Sequence, residues 1–136
     1  MEIMVSQQQA RVPITVLQPY DRIDGSNYVE LIARAQDEYE RGARNFLLDL
    51  GQVSYMSSAG LVALHKIAML TLYGILPEEE SGWEAYRAIE RDAKAGFQPH
   101  LKLLNPQPRV EKVLSMSGMD QFLQVFTDAQ AALGAF

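Results

Sequence analysis

Two adjacent serines, Ser57 and Ser58, stand between an apolar stretch and a helical one. A hydroxyl at such a junction can cap a helix, attack an electrophile or accept a phosphoryl group. Attack requires a base. Met56-Ser57-Ser58-Ala59-Gly60 has part of the outline of a hydrolase nucleophile elbow, but Met56 replaces the first glycine of that turn. Only His65 and His100 could serve as the base, and His65 falls about two turns into the helix, pointing away from its start. A small serine hydrolase using Ser58 is thus kept as the alternative of a different class, and no catalytic residue is expected. Metal ligation needs His or carboxylate groups at suitable spacing. Two distant histidines and no cysteine do not provide it, and Glu78-Glu79-Glu80 reads as a solvated loop. No glycine-rich phosphate loop is present, so neither a nucleotide nor any other cofactor is expected.

The elements that would position these serines follow from two alternating periodicities. Val12 to Leu17 reads as a strand with Val12, Ile14 and Val16 on one face, and Pro13 marks an edge or a strand start. Ile3 to Val5 forms a short preceding strand. Asp21 to Asn27 is a turn. Tyr28, Leu31, Ile32, Ala35 and Tyr39 recur at helical spacing, with Asn27 and Glu30 at the start and Gly42 at the stop. Phe46 to Leu50 is a buried strand of a parallel pair, and Gly51 to Met56 is a loop. A second helix starts at Ser57 or Ser58 and runs to about Tyr73, with Leu61, Leu64, Ala68 and Leu72 as its apolar stripe.

From Gly74 to His100 the pattern changes. Ser81-Gly82-Trp83-Glu84 is a capping box, and Trp83, Tyr86, Ile89 and Ala93 share one side of a short helix. Trp83 is read as packing this helix onto the sheet, with an interface anchor as the alternative. Leu101 to Leu104 is the next strand. Asn105-Pro106-Gln107-Pro108 opens a helix with Val110, Val113 and Leu114 inward and Gly118 as its stop. Met116, Met119 and Phe122 are read as core rather than binding surface. Phe122 to Phe126 is a last strand, and Thr127 to Gln130 caps a C-terminal helix. Strands alternating with helices predict an α/β fold with a mixed, largely parallel sheet, plus an inserted helix before the fourth main strand. Leu47, Leu48, Leu50, Leu101, Leu103 and Leu104 are expected in or near the core.

Composition narrows the function further. The chain has 136 residues, enough for one domain, and 48% of them are hydrophobic. Net charge is −5, with 17 acidic against 12 scattered basic residues, which argues against a nucleic-acid partner. No apolar run approaches the ~20 residues of a membrane span, so no direct membrane contact is expected. The N-terminus lacks the features of a secretory signal, and cysteine is absent. The expected location is the cytoplasm.

One segment carries a specific signal. Phe46 to Leu64, FLLDLGQVSYMSSAGLVAL, resembles the STAS family, the fold of bacterial anti-sigma factor antagonists. The matching positions are Asp49, Leu50, Val53, Tyr55, Met56, Ser58, Gly60 and Leu61. Asp24 fits the acidic residue that the family carries after its first strand. Ser57 stands where the family's motif has Asp, Ala59 replaces its second Ser, and Asp21 occupies a place where Gly is frequent. The stretch 74–100 is an insertion relative to the usual connection within a single STAS-like domain over 1–136.

The resemblance implies an anti-sigma factor antagonist, a phosphorylation-controlled protein-binding switch in transcription or stress regulation. It implies an anti-sigma factor partner that is itself a serine kinase, and a serine phosphatase that resets the switch; a homodimer stays open. It implies Ser58 as phosphoacceptor, with Ser57 as second choice. The implied contact surface is Asp24, Ser54, Tyr55, Met56, Ser57, Ser58, Ala59, Gly60 and Leu61. The alternative within the same fold is a STAS module that is not phosphorylated and serves as a scaffold or soluble subunit of a sensory or transporter complex. Independently of resemblance, a helix N-terminus offers unpaired N–H groups and the positive dipole end to a phosphate. A serine there is equally a favoured cap, so Ser57 is expected to cap and Ser58 to react.

Overall fold

Apolar residues alternate along the N-terminal hairpin, residues 3–19, and fill the strands behind it, and this difference sets the order of the sheet. A computed structural model describes residues 1–77 and 82–136, without the side chains of 82, 83, 85 and 86. The strands are β1 (Ile3–Gln9), β2 (Pro13–Pro19), β3 (Asp21–Ile23), β4 (Phe46–Asp49), β5 (Val53–Met56), β6 (Leu101–Leu104) and β7 (Val125–Phe126). The helices are α1 (Tyr28–Glu40), α2 (Ser58–Tyr73), α3 (Gly82–Ala93), α4 (Pro108–Ser117), α5 (Met119–Phe122) and α6 (Ala129–Gly134). The main sheet runs β1-β2-β4-β6-β7. Only the β1–β2 pair is antiparallel, and β2, β4, β6 and β7 pair in parallel. This is the mixed, largely parallel sheet with alternating helices that the sequence pattern predicts.

Burial follows from that order. β4 and β6 lie inside the sheet, and Phe46, Leu47, Leu48 and all of Leu101–Leu104 are buried. Continuous apolar strands of this kind are what a sheet covered on both faces demands. The larger core lies on one face, where Leu17, Phe46, Leu48, Leu101 and Leu103 meet Leu31, Ala35, Leu64, Ile67, Ile89, Val110 and Leu114 from the helices. The opposite face carries a small core of Ile14, Leu47, Leu104 and Ala132, flanked by Val12, Val16 and Phe136 and covered by α6. Pro13 and Pro19 sit at the two ends of β2, outside the Thr15–Leu17 stretch that pairs with β4. A residue without an N–H costs nothing there.

Four expectations need correction. Asp21–Ile23 and Val53–Met56 are not turn and loop but two short strands that pair with each other in parallel, as a separate two-stranded sheet. Each is too short to show a period. The last strand begins at Val125, because Met119–Phe122 folds as a helical turn directly after Gly118. Met116 is not core: it is 71% exposed. Asn27 stands at the start of α1 without capping it through its side chain; its amide bonds Arg22 O and Asp24 N instead.

The inserted helix is present as α3. Ile89 is fully buried and Ala93 partly so. The predicted cap Ser81 and the packing side chains Trp83 and Tyr86 lie outside the described residues. Three polar contacts, from Asp92 and Gln98, fasten the insert to α2. His65 Nε2 lies 3.1 Å from Asp92 Oδ2, and the buried Gln98 Nε2 donates to Thr71 Oγ1 at 2.8 Å and to Ala68 O at 3.3 Å. Gln98 Oε1 also accepts from the backbone N–H groups of His100 and Leu101, so the chain re-enters β6 with its polar groups satisfied.

Candidate functional site

The two serines separate by role at the start of α2. Ser57 is the N-cap, in extended geometry, and its Oγ accepts from Ala59 N at 3.2 Å. Its own N–H donates to Ile23 O at 3.0 Å, and its carbonyl accepts from Gly60 N at 2.9 Å. Ser57 is therefore held on three sides. Ser58 is the first residue of the helix and is exposed, and among the described residues nothing hydrogen-bonds its hydroxyl. Capping thus falls to Ser57, and the free hydroxyl is that of Ser58.

The paired strands β3 and β5 explain why the junction sits where it does. Ile23 pairs with Met56, and both are fully buried. Gly60 lies directly above them: a Cβ there would overlap Met56 Cγ and come within 3.4 Å of Ile23 Cγ2. The glycine lets the first turn of α2 settle onto the two strands. Asp49, at the end of β4, closes the preceding turn, with Oδ1 accepting from Gly51 N at 2.9 Å and Oδ2 from Gln18 Nε2 at 3.0 Å. Asp49 is thus a structural residue of the motif and makes no contact with the serines.

Asp24 follows Ile23 directly, and Ile23 O is the acceptor for Ser57 N, so the backbone links the Asp24 turn to the helix start. Its Oδ1 accepts from Ser26 Oγ at 2.5 Å and Ser26 N at 2.9 Å, while Oδ2 accepts from Arg22 Nε at 2.7 Å. These bonds, first those from the Ser26 hydroxyl and backbone, hold the carboxyl below the usual carboxylate range and keep it charged.

Ser54 and Tyr55 are exposed on β5, Ala59 is half-buried, and Leu61 is nearly covered. Around them lies a feature that no sequence argument above identified. A shallow groove of about 380 Å³ runs between the start of α2 and α4, lined by Tyr55, Met56, Ser57, Ser58, Leu61, Val113, Met116 and Ser117. Gln107 Nε2 donates to Gly51 O at 2.9 Å and so fixes the start of α4 beside the β4–β5 turn. Arg109, one turn before Val113, places its guanidinium 5.2 Å from the centre of the Tyr55 ring. The signal was present in the spacing of Arg109, Val113 and Met116, which forms a second stripe beside the buried Val110 and Leu114.

The histidines lie elsewhere. His65 is buried in α2 against Asp92, about 10 Å along the axis from Ser58. His100 Nδ1 lies 3.0 Å from Asn45 Oδ1, before β4 and β6 begin and thus at the far end of the sheet. Among the described residues no three His, Asp or Glu side chains gather in a way that could hold a metal ion. Among them, too, no helix is long and apolar enough to cross a membrane.

Comparison with known proteins places this architecture. No family model matches the chain, and no curated protein matches it in sequence. Solved structures do match in shape. An anti-sigma factor antagonist from Mycobacterium paratuberculosis superposes with a TM-score of 0.66 at 15% identity, over 98% of this chain and 93% of that one. The anti-sigma factor antagonist SpoIIAA in its unphosphorylated form gives 0.55 at 21% identity, over 95% and 93%. The Bacillus cell fate determinant SpoIIAA in its phosphorylated form gives 0.50 at 19% identity, over 95% and 96%. The chain has the fold of the anti-sigma factor antagonists, the STAS fold, along almost its whole length.

Proposed function

We propose that this protein is an anti-sigma factor antagonist, a binding module whose contact surface is the groove between α2 and α4 and whose switch is phosphorylation of Ser58. The observation that carries the reading is the division of labour at the helix start. Ser57 is occupied as the cap, whereas Ser58 presents an unengaged hydroxyl on the rim of an apolar groove. Shape similarity to antagonists, one of them solved in phosphorylated and unphosphorylated forms, supports the same reading.

The mechanism follows from charge and solvation. In the unmodified state a partner, an anti-sigma factor acting as a serine kinase, covers Tyr55, Leu61, Val113 and Met116 and excludes water from Ser58. Phosphoryl transfer from ATP, with ADP as leaving group, replaces the hydroxyl proton with a group carrying about −1.5 to −2 charges and three acceptor oxygens. The α2 dipole stabilises that charge by roughly 0.3–1 kcal/mol, so the domain stays folded. Burial of the same charge under an apolar partner surface costs several kcal/mol, and the complex separates. A serine phosphatase restores the hydroxyl. Asp24, held charged beside the helix start, gives the same surface a fixed acidic point for a basic group of the partner.

The test uses proteins that co-purify with the chain from its native cells. With ATP, mass spectrometry should place phosphate on Ser58, and Ser58→Asp should lose the co-purifying kinase that Ser58→Ala retains. Met116→Asp should lose it too, without a change at Ser58. Phosphate on Ser57 instead would move the register by one residue. If neither serine accepts phosphate and Ser58→Asp binds as wild type does, the switch is refuted and the scaffold reading takes its place.

A further inference from the structure

The main sheet has two edges of very different character. β7 offers only Val125–Phe126 before the chain turns into α6. β1 is seven residues long, pairs with β2 in unbroken register from Ile3 to Gln9, and has no neighbour on its other side among the described residues. Its sequence, Ile-Met-Val-Ser-Gln-Gln-Gln, has no charge, proline or bulge. Native sheets protect exposed edges with exactly those devices, and a long flat edge without them is a template for another strand.

The direction of each backbone group can be read from two bonds. Tyr20 N donates to Glu2 O, and Ala10 N donates to Val12 O. The even-numbered residues of β1 therefore turn their N–H and C=O toward β2, and the odd-numbered residues turn theirs outward. Ile3, Val5, Gln7 and Gln9 present a row of unpaired backbone donors and acceptors along the free edge.

We infer that β1 is a self-pairing edge, and that two copies of this chain join antiparallel along it about a two-fold axis through Ser6. Only one register engages all four outward residues. It sets Ile3 opposite Gln9 of the second copy, Val5 opposite Gln7, and Ser6 opposite Ser6. Met4 then faces Gln8 on the other side of the sheet. No like charges meet within the paired strands, and at each end Glu2 comes opposite the uncharged Ala10 of the second copy. An isologous contact of this kind closes at two copies and leaves no further edge of equal length. The product is one continuous sheet with five strands from each copy. A single strand pair buries less than the ~800 Å² per partner of a standard interface, so the association is concentration-dependent and reversible. The Ser58 groove lies between α2 and α4, away from this edge, and stays open in the dimer.

Sedimentation equilibrium of the full chain across the micromolar to millimolar range tests this. Wild type should pass from monomer to dimer. Ser6 is exposed, so Ser6→Lys and Ser6→Glu should fold with unchanged circular dichroism, yet each sets like charges opposite each other and should shift dimerisation about fivefold to higher concentration. An equimolar mixture of the two should recover a dimer at least as stable as wild type, because only the heterodimer sets Lys against Glu. Ser6→Val, uncharged, should dimerise as wild type does. The inference is overturned by a wild type that is monomeric at millimolar concentration. It is equally overturned by charged variants that dimerise unchanged, or by a mixture that shows no recovery.

Discussion

Gly60 offers a test in which two known effects oppose each other. Within a helix, Ala is favoured over Gly by about 1 kcal/mol. Gly60 has ordinary helical backbone, so a side chain brings no dihedral strain, and propensity alone predicts that Gly60→Ala stabilises. Packing predicts the reverse. The new Cβ would overlap Met56 Cγ and lie 3.2 Å from Met56 Sδ. Met56 is fully buried, and the clash falls on the middle of its side chain, so it cannot swing into solvent. Overpacking of this kind costs about 1–3 kcal/mol. Packing outweighs propensity, and Gly60→Ala should lose about 1 kcal/mol net, a fall in Tm of roughly 2–4 °C for a domain of this size. Thermal unfolding followed by circular dichroism reads the change. The decisive control is the same substitution in a Met56→Ala background. With the obstructing side chain removed, Gly60→Ala should turn stabilising by about 1 kcal/mol. An increase in Tm in the wild-type background, or the same loss in both backgrounds, would refute the packing argument.

Ser57→Ala should lower stability by about 1 kcal/mol through loss of the cap, whereas Ser58→Ala should stay within about 0.5 kcal/mol of wild type; urea unfolding separates the two. Lys102 is nearly buried on β6, and loss of hydration pushes its amine below its ordinary value of 10.5. The folded state therefore releases this proton before the unfolded chain does. Stability gained from neutralisation should appear as pH rises through the folded value toward 10.5. Lys102→Met should be at least as stable as wild type at neutral pH and should lack that alkaline gain. Denaturation midpoints measured at neutral pH and near 10 compare the two proteins, and an equal pH response would count against it.

Much of this fold was legible because its long elements carry strong periods. Tyr28 to Tyr39 repeats at 3–4 spacing, Phe46 to Leu50 is apolar throughout, and Gly118 ends α4 at a positive φ of 80°. The cores on the two faces also follow the alternation of Ile14 and Val16 against Leu17. What escaped were elements too short for a period to exist. β3 and β5 are strands only because each supplies the other's partner across thirty residues of chain, which no local pattern records. Met116 misled for a different reason. An apolar residue three positions from Val113 is core on most helices, but α4 leaves that stripe open beside Tyr55. At the site, the cap and the exposed serine were readable from residue type and position. The groove was not, because one wall of it, Val113, Met116 and Ser117, comes from a helix more than forty residues away.

The small core beneath α6 has a consequence for how the molecule breathes. α6 has six residues, well short of the length at which a helix holds itself together, and it is kept in place by the Asp128 cap and by Ala132, Leu133 and Phe136. Detaching it exposes Ile14, Leu47 and Leu104 while leaving the larger core untouched. The protein therefore has two unfolding energies rather than one. A local opening of its C-terminal end lies well below the global transition, and amide exchange in α6 and β7 should run far ahead of exchange in β4. The transient state bares one apolar sheet face without disturbing Ser58, so proteolytic and aggregation risk reside at the end of the chain remote from the proposed switch.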